Sequence, residues 1–152
     1  MATLYVDADA CPVLREALRI GRRHGVPVVA VGNDSQNLGR LSGERGVEVL
    51  TVGAGKDAAD FAIAPRVGPT DVVVTQDIGL ASMALARGAS ALTPRGRVFS
   101  GATIDAELEI RHIEQRHRRS GGRTRGPAPF EDDDRRRFAA ALERLLQRYD
   151  SR

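Results

Sequence analysis

Short apolar runs alternate along this chain with longer stretches whose apolar residues recur every three or four positions, the pattern of parallel strands joined by helices. The runs are Thr3 to Val6, Pro27 to Val31, Val47 to Val52, Asp71 to Thr75 and Ala89 to Thr93, and the fourth is continuous and β-branched as a strand covered on both faces should be. Between the first two, Val13, Leu14, Ala17, Leu18 and Gly21 repeat on one side of a helix that Pro12 opens and Gly25 stops. Asp57 to Ile63 predicts a short helix, and Ile78 to Ala86 a longer one that closes at Gly88. Ile104 to Arg119 predicts an amphipathic helix, with Leu108, Ile110 or Arg111, and Ile113 near the periodic positions. The last helix starts at Glu131-Asp132-Asp133-Asp134, a run that suits the helix dipole better than a metal, and its stripe is Phe138, Ala141, Leu142, Leu145, Leu146 and Tyr149. Phe61 and Met83 are expected in the core. These elements predict an α/β fold: a single-domain three-layer sandwich over residues 1–152, with a small, mainly parallel sheet in the order 3-2-1-4 or similar. Ser120 to Phe130, rich in Gly, Pro and Arg and without periodicity, predicts a flexible loop.

Acidic residues gather where the predicted strands end. The first strand runs into Asp7-Ala8-Asp9, the third is followed by Gly53-Ala54-Gly55-Lys56 and then Asp57 and Asp60, and the fourth ends in Thr75-Gln76-Asp77. Open α/β folds place their ligands at this edge, because strand ends and helix starts leave a crevice there. One such Asp would be a helix cap; three stations on one edge form a pattern. Together Asp7, Asp9, Asp57, Asp60 and Asp77 supply up to five carboxylates, a hard oxygen set suited to Mg²⁺ or Mn²⁺. Such an ion would relieve their mutual repulsion and activate water against a phosphodiester. Asn33, in the polar loop after the second strand, reaches the same edge, more as a turn-former than as a ligand. Lys56 is either a phosphate contact or an ordinary surface lysine, and the spacing that a Walker-type phosphate loop requires is absent.

Composition narrows the class. The formal net charge is only +3, yet between Arg111 and Arg125 six Arg and two His face a single acid, Glu114. That block, with Arg118, Arg119, Arg123 and Arg125, can neutralise phosphates and fork onto their oxygens. No apolar run approaches the roughly 20 residues that span a bilayer, so no membrane partner is expected. Cys11 is the only cysteine, which excludes an intrachain disulfide and suits a cytoplasmic protein. At a helix start its thiol invites a reactive reading, although a small packing residue fits better in the absence of a neighbouring His. Zinc is not expected, because one Cys and three scattered His show none of its ligand spacings.

Tyr5-Val6-Asp7-Ala8-Asp9-Ala10-Cys11-Pro12-Val13, Val52 to Asp60, Val74 to Ala81 and Pro94-Arg95-Gly96 resemble the corresponding motifs of the bacterial YaiI/YqxD family, also called UPF0178. Ser120 to Pro127 and the final helix resemble that family's tail, so the likeness covers nearly the whole chain. The resemblance implies kinship with PIN-like domains, metal-dependent nucleases with a small parallel sheet and a cluster of acids. It implies that Asp7 is the first-strand metal ligand, Asp60 or Asp57 the helix-borne acid, and Asp77 the acid that follows Thr75. Asp9 and Cys11 depart from the usual PIN pattern.

The leading expectation is therefore a Mg²⁺- or Mn²⁺-dependent nuclease acting on RNA, with Asp7, Asp9 and Asp77 catalytic and Asp7, Asp57, Asp60 and Asp77 at the metal. Lys56, Arg95, Arg118, Arg119, Arg123 and Arg125 would hold the nucleic acid. Two other readings stand beside it. One is a non-catalytic RNA-binding or ribosome-associated protein. The other is a haloacid-dehalogenase-type phosphatase, whose nucleophile and acid spacing Asp7-Ala8-Asp9 copies, although Lys56 precedes Thr75 where that pattern expects the reverse.

Overall fold

Each apolar run becomes a strand, and the five strands join one parallel sheet. The computed structural model describes residues 2–9, 11–33, 38–55, 57–121 and 128–150, the last two as backbone. The strands β1 (Leu4–Asp7), β2 (Val28–Gly32), β3 (Val47–Thr51), β4 (Val72–Val74) and β5 (Ser90–Leu92) lie in the order β3-β2-β1-β4-β5. Central β1 pairs Leu4 with Val28 on one side and with Val72 on the other. The helices among the described residues are α1 (Leu14–Arg23), α2 (Ala58–Ile63), α3 (Ile78–Ala86), α4 (Ile104–Arg119) and α5 (Asp132–Asp150), and a 3₁₀ turn, Ala64–Arg66, follows α2.

Alternation along the strands splits the core into two layers. Leu4, Val6, Val28, Ala30, Val72 and Val74 face α1 and α5, where Phe138, Leu142 and Leu146 are fully buried. Tyr5, Val29, Val31 and Val73 face the other way, onto Ile63 of α2, Leu80, Ala81 and Ala84 of α3, and Ile104 at the start of α4. The result is the three-layer sandwich that the sequence predicts. The two sides of the sheet fill in opposite directions from β1: α1 leads outward to β2 on one face, and α3 outward to β5 on the other. Right-handed crossovers require this when the strand order reverses, and the reversal opens a crevice between the carboxyl ends of β1 and β4.

Two tethers hold α5 in place. Arg135 donates to Glu16 at 2.7 Å and to the Pro12 carbonyl at 2.8 Å, while Glu143 contacts His24 at 2.6 Å and Arg23 at 2.5 Å. After β5 the chain turns back at Gly96, where φ is +89° and a Cβ would lie 2.5 Å from the Arg137 carbonyl carbon. Only glycine meets both demands. Among the described residues no helix is long and apolar enough to cross a membrane.

Apolar expectations fail on three helices. Phe61 is 76% exposed, because α2 buries only Ile63, two residues and about 200° further round the helix. Met83 is 41% exposed, off the Leu80, Ala81 and Ala84 stripe of α3. Ile110 and Ile113 are exposed as well, since α4 buries Ile104, half-buries Leu108 and then leaves the sheet, packing on α3. The acidic start of α5 is as expected, while Tyr149's side chain and residues 122–127 of the predicted loop lie outside the described residues.

Candidate metal centre

The crevice between β1 and β4 is where the acids meet. Asp7 is the last residue of β1 and shares a face with Tyr5, so it points toward α2 and α3. Thr75, buried just past β4, fixes two carboxylates with one hydroxyl: its Oγ1 donates to Asp7 Oδ2 at 3.2 Å and accepts the Asp77 N–H at 2.9 Å. Asp77 caps α3, accepting the Gly79 and Leu80 N–H groups on Oδ1 at 2.8 and 3.3 Å. Arg111 reaches over from α4 to the same oxygen at 3.2 Å. Asp57 and Asp60, three apart at the start of α2, complete the group. Asp57 stands at the cap position yet makes no capping hydrogen bond with its side chain.

Asp57, Asp60 and Asp77 each offer a carboxylate oxygen, and these oxygens lie within 4.8 Å of one another. Among the described residues this is the only such group of three. Asp7 stands beside it and interacts with it electrostatically, but outside that close set. The electrostatics match the crowding. Asp60 is pushed up from the ordinary 3.8 to about 7, first by burial, then by its hydrogen bond with Asp77 and the charges of Asp77, Asp7 and Asp57. Asp7 is raised too, by burial and then by the charges of Asp9 and Asp77, against the lowering effect of Thr75. For Asp77, burial acts to raise the value. The Asp60 hydrogen bond, the Gly79 and Leu80 amides and Arg111 outweigh that and hold it below the ordinary range. Asp60 therefore holds its proton more tightly than an ordinary carboxyl, and the all-oxygen donor set of Asp57, Asp60 and Asp77 fits a hard ion.

The other predicted residues separate. Asp9 turns away from the cluster and accepts the Asn33 N–H on both oxygens, at 2.9 and 3.0 Å. Gly32 permits this approach, since a Cβ there would lie 2.6 Å from Asp9 Oδ1. Asn33 itself is exposed. Cys11 is half-buried and its thiol is pushed up to about 11, chiefly by burial, so it is no thiolate at neutral pH. Arg95 is engaged within the fold: it bonds Asp134 at 3.1 Å and the Ala128 carbonyl, and lies 5.7 Å from the Phe130 ring centre. Arg118 and Arg119 belong to the basic last turn of α4. Lys56, Arg123 and Arg125 lie outside the described residues. Arg111 is the site residue that local patterns miss, because the chain separates it from Asp77 by 34 positions.

A family model described as "Uncharacterized BCR, YaiI/YqxD family" matches residues 5–148, nearly the whole chain. The chain belongs to the YaiI/YqxD family. It is similar to a "UPF0178 protein" of Caulobacter vibrioides, 45% identical over 96% of this chain and 94% of that one. A namesake from Exiguobacterium sibiricum is 42% identical, covering 94% of this chain and 95% of its own. Another from Xanthomonas campestris is 45% identical and covers 100% of this chain and 94% of its own. Membership thus rests on full-length similarity.

Proposed function

We propose that this YaiI/YqxD protein is a Mg²⁺- or Mn²⁺-dependent nuclease that acts on RNA at the β1/β4 crevice, in the manner of PIN-like domains. The observation that carries the reading is the convergence of Asp57, Asp60 and Asp77 oxygens within 4.8 Å, with Asp7 alongside. Asp57, Asp60 and Asp77 would hold the ion. When bound, it would neutralise a phosphodiester and lower the pKa of a bound water. Arg111 and the α3 amides hold Asp77 in one orientation, and Thr75 does the same for Asp7. Asp7, with its raised affinity for protons, is suited to take one from an attacking water. The basic last turn of α4 begins at Arg116, about one and a half turns beyond Arg111, or roughly 8 Å along the helix axis. A strand crossing the crevice could therefore engage both. Asp9 accepts the Asn33 N–H on both oxygens and stands apart from the Asp57, Asp60 and Asp77 group, which favours the nuclease over a phosphatase of the haloacid-dehalogenase type.

The test is cleavage of end-labelled single-stranded RNA with Mn²⁺, with Mg²⁺ and with EDTA, by the parent protein and by an Asp60→Asn/Asp77→Asn variant. The parent should cleave only with metal, and the variant should lose at least about 100-fold in rate, the scale for removing one charge-stabilising group. Equal cleavage by both proteins refutes the assignment. RNA binding without cleavage in either would instead favour the binding protein.

A further inference from the structure

The carboxyl end of β1 borders a second space, on the α1 side of the sheet. A cleft of about 710 Å³ opens between the first turns of α1 on one side and Asn33, Leu38, Arg40 and Leu41 on the other. Leu14, Leu18, Leu38 and Leu41 line it with apolar surface, and Arg15 and Arg40 stand among its exposed residues. Its size falls within the range of small-molecule sites, and its composition is that of such sites: mostly apolar walls with a few polar groups. Arg15 and Arg40 make no ion pair or hydrogen bond among the described residues. Arg22, Arg23, Arg66 and Arg135, by contrast, each face a carboxylate. Among the described residues the one acid lining the cleft is Asp9, and it accepts the Asn33 N–H rather than pairing with either guanidinium group.

We infer that this cleft is a nucleotide subsite, in which Arg15 and Arg40 hold a phosphate and the leucines take the face of an unpaired base from a single-stranded RNA. A guanidinium pair fits phosphate oxygens in a fork, and single-stranded RNA is recognised by bases splayed against side chains. Asn33, exposed on the same wall, offers a donor and an acceptor to a base edge. Asp7 and Asp9 alternate across β1 and the residues that follow it. The scissile phosphate on one side and this nucleotide on the other would therefore belong to one strand crossing the sheet edge. The inference rests on the nuclease reading for its substrate class, but not on the acids.

Cys11, the only cysteine, lines the cleft and serves as a reporter. Its alkylation by iodoacetamide at alkaline pH is followed by mass spectrometry, in EDTA to prevent cleavage, with and without a short oligouridylate. At about ten times the Kd, occupancy should slow alkylation about tenfold. In an Arg15→Ala/Arg40→Ala variant, whose changes lie on the surface, the protection should vanish and the Kd should weaken at least about tenfold, as expected when two phosphate contacts are lost. Unchanged alkylation in saturating RNA overturns the subsite, as does full protection in the double variant. Protection by inorganic phosphate alone overturns the base-binding half. Metal-dependent cleavage that survives any of these failures leaves the nuclease reading intact, whereas protection without Mn²⁺-dependent cleavage refutes that reading and retains the subsite.

Discussion

Replacing Asp60 with Asn should make the metal-free protein more stable at pH 8 and leave it unchanged near pH 4. Asp60 has a folded value of about 7 against an ordinary 3.8, so between those limits the native state binds more protons than the unfolded chain. Stability from this group is then fully present below the unfolded value and is lost as the pH rises to about 7. At about 1.4 kcal/mol for each tenfold displacement, the whole difference would be about 4 kcal/mol. Asp60 is only partly buried and Asp77 shifts in the opposite direction, so screening leaves about 1–2 kcal/mol. Asn keeps the shape without the charge and removes the penalty. Urea denaturation followed by far-UV circular dichroism in EDTA reads the difference directly. Adding Mn²⁺ should invert the ranking, since an ion at about 100 times its Kd adds about 2.7 kcal/mol to the wild type and little to the variant. A variant no more stable than wild type at pH 8 would refute the repulsion argument. Equal stabilisation of both proteins by Mn²⁺ would refute the ion site.

Two further outcomes test the fold around the crevice. Asp71 is buried and accepts the Thr3 N–H at 2.9 Å and the Gly68 N–H at 2.8 Å, so Asp71→Ala should cost about 2–3 kcal/mol in urea denaturation. The loss should be the same with and without Mn²⁺, because Asp71 stands at the opposite end of β4 from the cluster. Phe61→Ser should change stability by no more than about 0.5 kcal/mol, since the ring is 76% exposed. A thermal scan showing a loss of several kcal/mol would return Phe61 to the core.

Much of the architecture was legible in the sequence because burial on both faces leaves a strand little choice of residue. Val72 to Val74 and Val28 to Val31 could hardly be anything else. Side-chain facing was harder. Phe61 read as core because it sits on an apolar face in the sequence, but α2 has only six residues and buries one of them. Ile110 and Ile113 keep helical spacing, yet α4 has already left the sheet where they occur. Periodicity records which residues share a face; it does not say how far the partner surface extends.

The same distinction runs through the site. Which chemistry is present follows from the chain alone: carboxylates after the first, third and fourth strands, a threonine two positions before Asp77, a glycine two after it, and a basic segment near the end. Their roles depend on distances that no local pattern sets. Asp7 and Asp9 are two residues apart, yet one stands beside the cluster and feels its charge while the other, just past the end of β1, is captured by the Asn33 amide. Asp57 and Asp77 both precede helices, but only Asp77 uses its side chain as a cap, and Arg111 reaches it from 34 positions away. Proton affinity is decided at the same level. Asp60 is pushed up first by burial and then by its carboxylate neighbours; Asp57 comes with the same helix, whereas Asp77 and Asp7 come together only once β1 and β4 lie side by side.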